Sequence, residues 1–233
     1  MSYLLKSNLV RLLCLALAYF LLARLGLLLA IPPGYATAIW PASGLAIAAL
    51  LLWGYPMAIG VFIGSLAVNA SVSAIPAPLD LANLYLPAAI ASGSALQAVV
   101  GKYLVERYCA APWTFHRLSQ TLLLIGLGGL LASLVSASVG SLSLLTFGII
   151  DHAAFADSWF TWWLGDSLGI IVFAPLILIA QEDNALVSRR RKLIVVLPMV
   201  VVFSSIGYLY NANKQDIRDR LQSQLQSEAG LAG

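Results

Sequence analysis

Two charged residues lie deep inside long apolar runs, and they are the side chains best able to do chemistry. Arg24 belongs to the first such run and Asp166 to a late one. A charge inside a bilayer costs at least about 2.5 kcal/mol on insertion scales, so one that is kept there is expected to have a function. We predict that both side chains face the interior of a helix bundle and pair directly or through water. A structural clamp, contact with a ligand, and an Arg24 side chain that reaches the headgroups all remain open.

Asp166 has aromatic and small residues on the same face of its predicted helix. Helical spacing places Trp162, Gly169 and Phe173 on one stripe with it. Gly165 and Gly169 are four residues apart, a spacing that lets another helix approach closely. The sequence therefore predicts a close helix–helix contact beside Asp166.

Further polar and aromatic residues are expected at a similar depth, near the predicted outer face of the membrane. They come from the ends of three other apolar runs: Trp40, Pro41, Ser43, Gly44, Asn69 and Asn83. An apolar wall with a few placed polar groups is what a small-ligand pocket requires. Tryptophans also form belts at membrane interfaces. A belt is favoured for Trp159 and packing within the bundle for Trp40, whereas belt and pocket are equally open for Trp162 and Trp163.

Gln97 and the hydroxyl residues of the fifth predicted helix are weaker candidates for a site. The hydroxyl residues are Ser133, Ser136, Ser138 and Ser141. Small and hydroxyl side chains form the usual contacts between membrane helices. Packing is therefore the favoured role for all of them.

The residue types that are missing from the apolar runs exclude most enzyme classes. Both histidines, His116 and His152, fall in predicted loops, so no haem, copper or zinc site within the membrane is expected. A serine protease would need a buried base, and an aspartyl protease two intramembrane carboxylates. No glycine-rich phosphate loop is present, and a net charge of +3 is too small to suggest nucleic-acid binding. We therefore expect neither catalysis nor a cofactor.

Composition indicates which elements must position these residues. Hydrophobic residues make up 61% of the chain and charged residues only 10%, whereas a soluble domain carries about 25% charged residues. Several runs exceed the roughly 18 apolar residues that mark a spanning helix. We predict an all-α, polytopic transmembrane bundle over residues 1–210, with a possible break near Gly140 in its fifth helix. It has about seven helices, at residues 9–30, 38–53, 57–72, 81–105, 119–147, 158–180 and 193–210.

The positive charges predict the orientation of this bundle. Lys and Arg occur at the amino end, between the fourth and fifth helices, and at residues 189–192, whereas the other connectors carry Asp80, Asp151 and Asp157. The positive-inside rule places the amino terminus in the cytoplasm, and seven crossings place the carboxyl terminus outside. Lys102, near the inner end of its helix, is expected to reach the headgroups. A cleavable signal peptide ending near Ala38 remains a competing interpretation of the first helix.

Residues 211–233 are polar and are predicted to form a helix that leaves the membrane and begins an extracytoplasmic region. Ile217, Leu221 and Leu225 recur every four residues and form a thin apolar stripe suited to pairing with another helix. Such a helix could carry a rotation or a piston motion. We expect the natural chain to continue beyond Gly233.

Two long stretches resemble a known family. Residues 40–69 begin with Trp-Pro-Ala-Ser-Gly and end with an asparagine, and residues 162–176 begin with Trp-Trp-Leu-Gly-Asp-Ser-Leu-Gly. Both are similar to the first family of bacterial membrane-associated sensor domains, the MASE type-one family, and the resemblance covers about residues 9–210. One departure is Tyr55, where many relatives have a basic residue. The family's motif residues correspond here to Trp40, Pro41, Ser43, Gly44, Asn69, Trp162, Gly165, Asp166, Gly169 and Pro175.

The resemblance implies a signal-input module in the inner membrane of a bacterium. Family members form the amino-terminal membrane input of sensor histidine kinases and diguanylate cyclases, which work as homodimers. Residues 211–233 are similar to the entry of an extracytoplasmic CHASE-type domain. The resemblance names no ligand, so the expected stimulus is a small molecule, a lipid-like compound or a membrane-protein partner. The chief alternative is a small transporter or the substrate-capture subunit of an uptake system. A scaffold that only dimerises and localises its output is a third interpretation.

Overall fold

The computed structural model describes residues 2–28, 30–31, 36–37, 39–73, 81–109 and 118–180, and most of them are helical. The helices are α1 (Ser2–Leu27), α2 (Pro41–Trp53), α3 (Ala58–Ser73), α4 (Tyr85–Tyr108), α5 (Leu118–Leu123), α6 (Ala132–Thr146) and α7 (Phe155–Ala180). Short 3₁₀ turns, Tyr55–Met57 and Leu81–Leu84, precede α3 and α4. Between α1 and α2, strand β1 (Ala30–Ile31) pairs antiparallel with β2 (Ala36–Thr37).

The described part contains five helical spans that are long and apolar enough to cross a membrane. They are Asn8–Leu27, Tyr55–Val72, Tyr85–Tyr108, Ser119–Thr146 and Phe155–Ile179. The predicted all-α, polytopic membrane bundle is thereby confirmed. The expected span at 193–210 and the polar helix at 211–233 lie outside the described residues. The total of seven crossings and the orientation of the termini therefore stay predictions.

Helix α2 has 13 residues and is shorter than these five spans, and it is packed among the other helices. Ten of its thirteen residues are buried, and it packs against α1, α4 and α7. A helix that is apolar all round is typical of such a central position. Pro41 begins α2 at its first turn, where a missing N–H costs nothing. Gly54 ends it with a φ of +92°, which glycine adopts without strain, and turns the chain into α3.

The fifth predicted span is continuous but irregular. A π-helical stretch, Leu124–Leu131, joins α5 to α6 without a gap. The predicted break near Gly140 is therefore wrong in position, because Gly140 lies within regular α6 and the irregularity comes earlier. Gly140 serves packing instead, since a β-carbon there would lie 2.7 Å from the indole ring of Trp162.

Lys102 does not extend freely toward the membrane surface as predicted. Its side chain is only 6% exposed and forms an ion pair with Glu106, one turn further along α4. The Lys102 ammonium also lies 4.9 Å from the ring centre of Tyr55, whose hydroxyl donates to Glu106 over 3.3 Å. The expectation failed because the turn between α2 and α3 covers this part of α4. Tyr55, the departure from the family pattern, supplies an aromatic face that attracts the cation.

Because only the lysine of this ion pair is buried, the two partners are expected to respond differently to mutation. Glu106→Gln is expected to lower the free energy of unfolding by about 1–2 kcal/mol, because it leaves a buried ammonium without its counter-charge. Lys102→Met is expected to cost less, because the remaining Glu106 carboxylate is 36% exposed and can be hydrated. Thermal unfolding of both variants in detergent provides the measurement. Equal losses of stability in the two variants would show that the Lys102 ammonium does not depend on Glu106.

Candidate functional site

The candidate site is centred on the carboxyl group of Asp166. This side chain is only 2% exposed, and it projects from α7 toward α2. The hydroxyl of Ser43 on α2 donates a hydrogen bond to Asp166 Oδ1. The second carboxyl oxygen, Oδ2, is buried and has no hydrogen-bond partner among the described residues. The Ser136 hydroxyl on α6 is a further polar neighbour of this group.

Glycines allow α2 and α7 to approach closely enough for that hydrogen bond. A β-carbon at Gly169 would lie 2.6 Å from the carbonyl carbon of Trp40, and one at Gly44 would lie 2.6 Å from Phe173 Cβ. The backbone N–H of Trp40 donates to the Gly165 carbonyl over 2.9 Å. The close helix contact predicted from the Gly165 and Gly169 spacing is thus present, and α2 is its partner.

A small cavity opens beside Asp166. The centre of a water molecule can occupy about 20 Å³ of this cavity. That is room for about one or two water molecules. Its wall is formed by residues of β2, α3, α4 and α7 and by the residue before α2. These residues are Thr37, Trp40, Ser65, Asn69, Ile90, Ser94, Trp162, Gly165 and Asp166. Organic ligands usually occupy pockets of about 300–1,000 Å³. The cavity as observed therefore suits an ion or water rather than a metabolite.

Hydroxyl groups on α3 and α4 form a connected chain along this wall. Ser65 donates to Ser94 over 3.1 Å, and Ser94 donates to the Ile90 carbonyl over 3.3 Å. The amide of Asn69 donates to the Ser65 carbonyl over 2.8 Å. These bonds fix the side chains of two helices around one cavity.

Tyr19 on α1 completes the polar surroundings, and the sequence analysis missed it. The side chain is 1% exposed, its hydroxyl accepts a 3.4 Å hydrogen bond from the Trp40 indole, and it lies near Ser65 and Ser94. Trp40 also packs on Gly26, where a β-carbon would lie 3.1 Å from its ring. The expected packing of Trp40 within the bundle is thus observed.

Three tryptophans of α7 separate into one that lines the cavity and two that do not. The Trp162 indole donates to Ser136 over 3.2 Å and lines the cavity. Trp159 and Trp163 stack with their ring centres 6.4 Å apart. Their indoles donate to Ser138 and to the Leu130 carbonyl respectively. Trp162 therefore belongs to the candidate site, whereas Trp159 and Trp163 form a separate stacked pair.

The expected pairing of Arg24 with Asp166 is wrong. Arg24 is exposed on α1, and its guanidinium donates to the Ser71 hydroxyl of α3 over 3.2 Å. The buried residues of α1 that face the core include Leu15, Tyr19 and Ala23, four residues apart. Arg24 follows Ala23 directly, so its side chain points about 100° away from that face.

The remaining predicted residues do not line the cavity. Gln97 is buried and donates to Ser133 over 3.1 Å, which joins α4 to α6. Phe173 is buried against Gly44, and Asn83 is exposed in the turn before α4. Pro41 begins α2 beside the cavity. Within the described ranges, no group of three or more His, Cys, Asp or Glu residues could hold a metal ion.

Comparison with known proteins adds one match. A family model described as MASE1 matches residues 11–207, a range that includes Asp166, its cavity and most of the chain. No curated protein and no solved structure matches the chain.

Proposed function

This chain belongs to the MASE1 family of membrane-associated sensory domains, and on that premise we propose that it perceives its stimulus at the Asp166 cavity. The observation that carries the proposal is the Asp166 Oδ2 atom, which is buried beside the cavity and has no hydrogen-bond partner within the described part of the chain. An uncompensated carboxylate inside a membrane protein is costly, and such groups usually mark a site of function. A stimulus that changes the charge or the contacts of Oδ2 would act directly on this group.

The contact between α2 and α7 offers a route for the signal. Ser43 links α2 to the carboxyl group, and the Trp40–Gly165 hydrogen bond fixes the start of α2 to α7. Close-packed interfaces of this kind shift between discrete arrangements rather than deforming smoothly. A change at Asp166 is therefore expected to move α7 relative to its neighbours.

We propose that residues after α7 pass this movement onward. In this proposal the span at 193–210 and the helix at 211–233 connect the bundle to a CHASE-type extracytoplasmic region and then to a kinase or diguanylate cyclase in the cytoplasm. The protein would act as a homodimer in the bacterial inner membrane. The stimulus would be a small molecule, a lipid-like compound or a membrane-protein partner, and a larger ligand would require the cavity to open.

The test is a signalling assay in cells that express the complete gene product. Asp166→Asn is expected to fix the output at one level and to reduce the response to stimulus at least about tenfold, because the substitution removes the charge at the cavity. Asp157→Asn, an exposed carboxylate on the same helix, is the matched control and is expected to respond normally.

Membrane levels of both variants must equal that of the wild type for the comparison to hold. A normal response of Asp166→Asn would contradict perception at this carboxyl group. Solute accumulation that depends on the chain, with no change in any signalling output, would favour the transporter or substrate-capture alternative.

A further inference from the structure

The carboxyl group of Asp166 is left incompletely satisfied by the protein. Oδ2 is the only buried side-chain polar atom without a hydrogen-bond partner among the described residues that are not exposed. A buried carboxylate normally has a partner for each oxygen, because an unpaired buried charge is strongly disfavoured. The wall around Asp166 is therefore expected to hold something that the described residues do not provide.

Three hydroxyl groups that line the cavity already have acceptors for their protons. Thr37 donates to the Ile39 carbonyl over 2.9 Å, and Ser94 donates to the Ile90 carbonyl. A carbonyl oxygen can only accept, so the direction of both bonds is fixed. Ser65 donates in turn to Ser94. What these hydroxyls can still offer the cavity is oxygen lone pairs, which repel a carboxylate and attract a cation.

Among the residues that the structure describes, no cationic side chain lies at this wall. The described lining residues include no Lys, Arg or His. Within the described ranges, Arg24 bonds to Ser71 on the exposed side of the bundle, and Lys102 is paired with Glu106. The negative charge of Asp166 thus shares this wall with the hydroxyl oxygens of Thr37, Ser65 and Ser94, and no described lining residue supplies a cation to balance it.

Charge, donor type and size together select the occupant. One carboxylate balances one positive charge, whereas divalent ions in proteins usually require more than one carboxylate. Carboxylate and hydroxyl oxygens are hard ligands that suit alkali and alkaline-earth ions rather than soft transition metals. A free space of about 20 Å³ admits one ion and excludes an organic cation.

We propose that the Asp166 cavity binds a single monovalent alkali-metal cation, with Na⁺ as the representative ion. Asp166 supplies the charge, and Ser65, Ser94 and Thr37 supply neutral oxygens from α3, α4 and β2. The bound ion joins α7 to these elements, and its release loosens them. Its role in signalling rests on the proposed function, whereas binding itself requires no output domain.

Thermal unfolding of the detergent-purified chain tests this binding. Melting curves are recorded in NaCl, in KCl and in choline chloride, at one ionic strength and one neutral pH. The wild type is expected to melt about 3–6 °C higher in an alkali chloride at ten times its Kd than in choline chloride. The shift should saturate with alkali concentration, and Asp166→Asn should show none. Equal melting temperatures in all three salts would overturn the proposal.

Two neighbouring serines of α4 provide a matched pair that keeps the test decisive if Asp166→Asn does not fold. Ser94 lines the cavity, whereas Ser92 is exposed and donates to the Ala88 carbonyl of its own helix. Ser94→Ala is expected to weaken the apparent alkali affinity about tenfold, and Ser92→Ala to leave it unchanged. The same affinity in both variants would exclude the cavity as the binding site.

The outcomes for binding and for signalling are separable. Alkali-specific stabilisation with a normal output response of Asp166→Asn would support the ion site and contradict the proposed sensory role of the carboxyl group. A fixed output in Asp166→Asn without alkali-specific stabilisation of the wild type would support the sensory role and overturn the ion site.

Discussion

Gly169→Ala is expected to lower the free energy of unfolding by about 3 kcal/mol, at the upper end of the usual cost of overpacking. The added β-carbon would lie 2.6 Å from the carbonyl carbon of Trp40. Backbone atoms cannot rotate away as a flexible side chain can, so α2 and α7 must separate. Separation would also break the Trp40–Gly165 hydrogen bond and the Ser43–Asp166 hydrogen bond. Thermal unfolding and the yield of monodisperse protein in detergent both report this loss.

Gly126→Ala is the matched control for this substitution. Gly126 also lies in a membrane helix, but a β-carbon there would meet nothing within 4 Å. Its melting temperature should equal or exceed that of the wild type, because alanine favours helical backbone more than glycine does. A Gly169→Ala variant as stable as Gly126→Ala would show that α2 and α7 do not approach as closely as described.

Local sequence patterns were sufficient to predict the membrane spans that the structure describes and one face of the site. Long apolar runs identify spanning helices because a bilayer fixes their length. Helical periodicity correctly placed Trp162, Asp166 and Gly169 on one face, and the glycine spacing correctly indicated a close helix neighbour. These properties depend on residues within a few turns of each other, so no knowledge of the tertiary fold was needed.

The direction of a side chain around its helix was harder to predict than its depth in the membrane. Arg24 and Asp166 are at comparable predicted depths, which suggested a pair, but Arg24 faces away from the core. The buried spacing of Tyr19 and Ala23 would have indicated the core face of α1. The prediction that Lys102 reaches the headgroups was wrong for a related reason. The turn that covers Lys102 contains Tyr55, which is distant from Lys102 in the sequence.

The polar wall of the cavity depends on contacts between helices that are distant in sequence. Ser65 and Ser94 are 29 residues apart and meet only when α3 packs on α4. Each serine alone is indistinguishable from the small residues that pack membrane helices. One signal was available, because Ser65 and Asn69 are four residues apart and share a face of α3. The chemistry of the cavity therefore emerges from tertiary structure, even though its central carboxylate was predictable.

Asp166→Asn is expected to stabilise the isolated chain when choline is the only cation present, by about 2–3 kcal/mol. The amide oxygen can keep the hydrogen bond from Ser43, and the amide nitrogen replaces the unpartnered Oδ2. The uncompensated negative charge disappears from the buried site. The melting temperature should rise by about 5–10 °C, whereas the exposed control Asp157→Asn should lower it slightly, because Asp157 lies in the first turn of α7 and its charge favours the helix dipole.

The sign of this shift decides between a structural and a functional role for the carboxyl group. A clamp that holds α2 and α7 together would make Asp166→Asn less stable than the wild type, because a charge-assisted hydrogen bond from Ser43 is stronger than one to a neutral amide. A gain in stability together with a fixed signalling output would instead mean that the protein keeps a destabilising charge because its response requires it. Such an exchange of stability for activity is common at functional sites. The unpartnered Oδ2 atom is the reason we expect the gain.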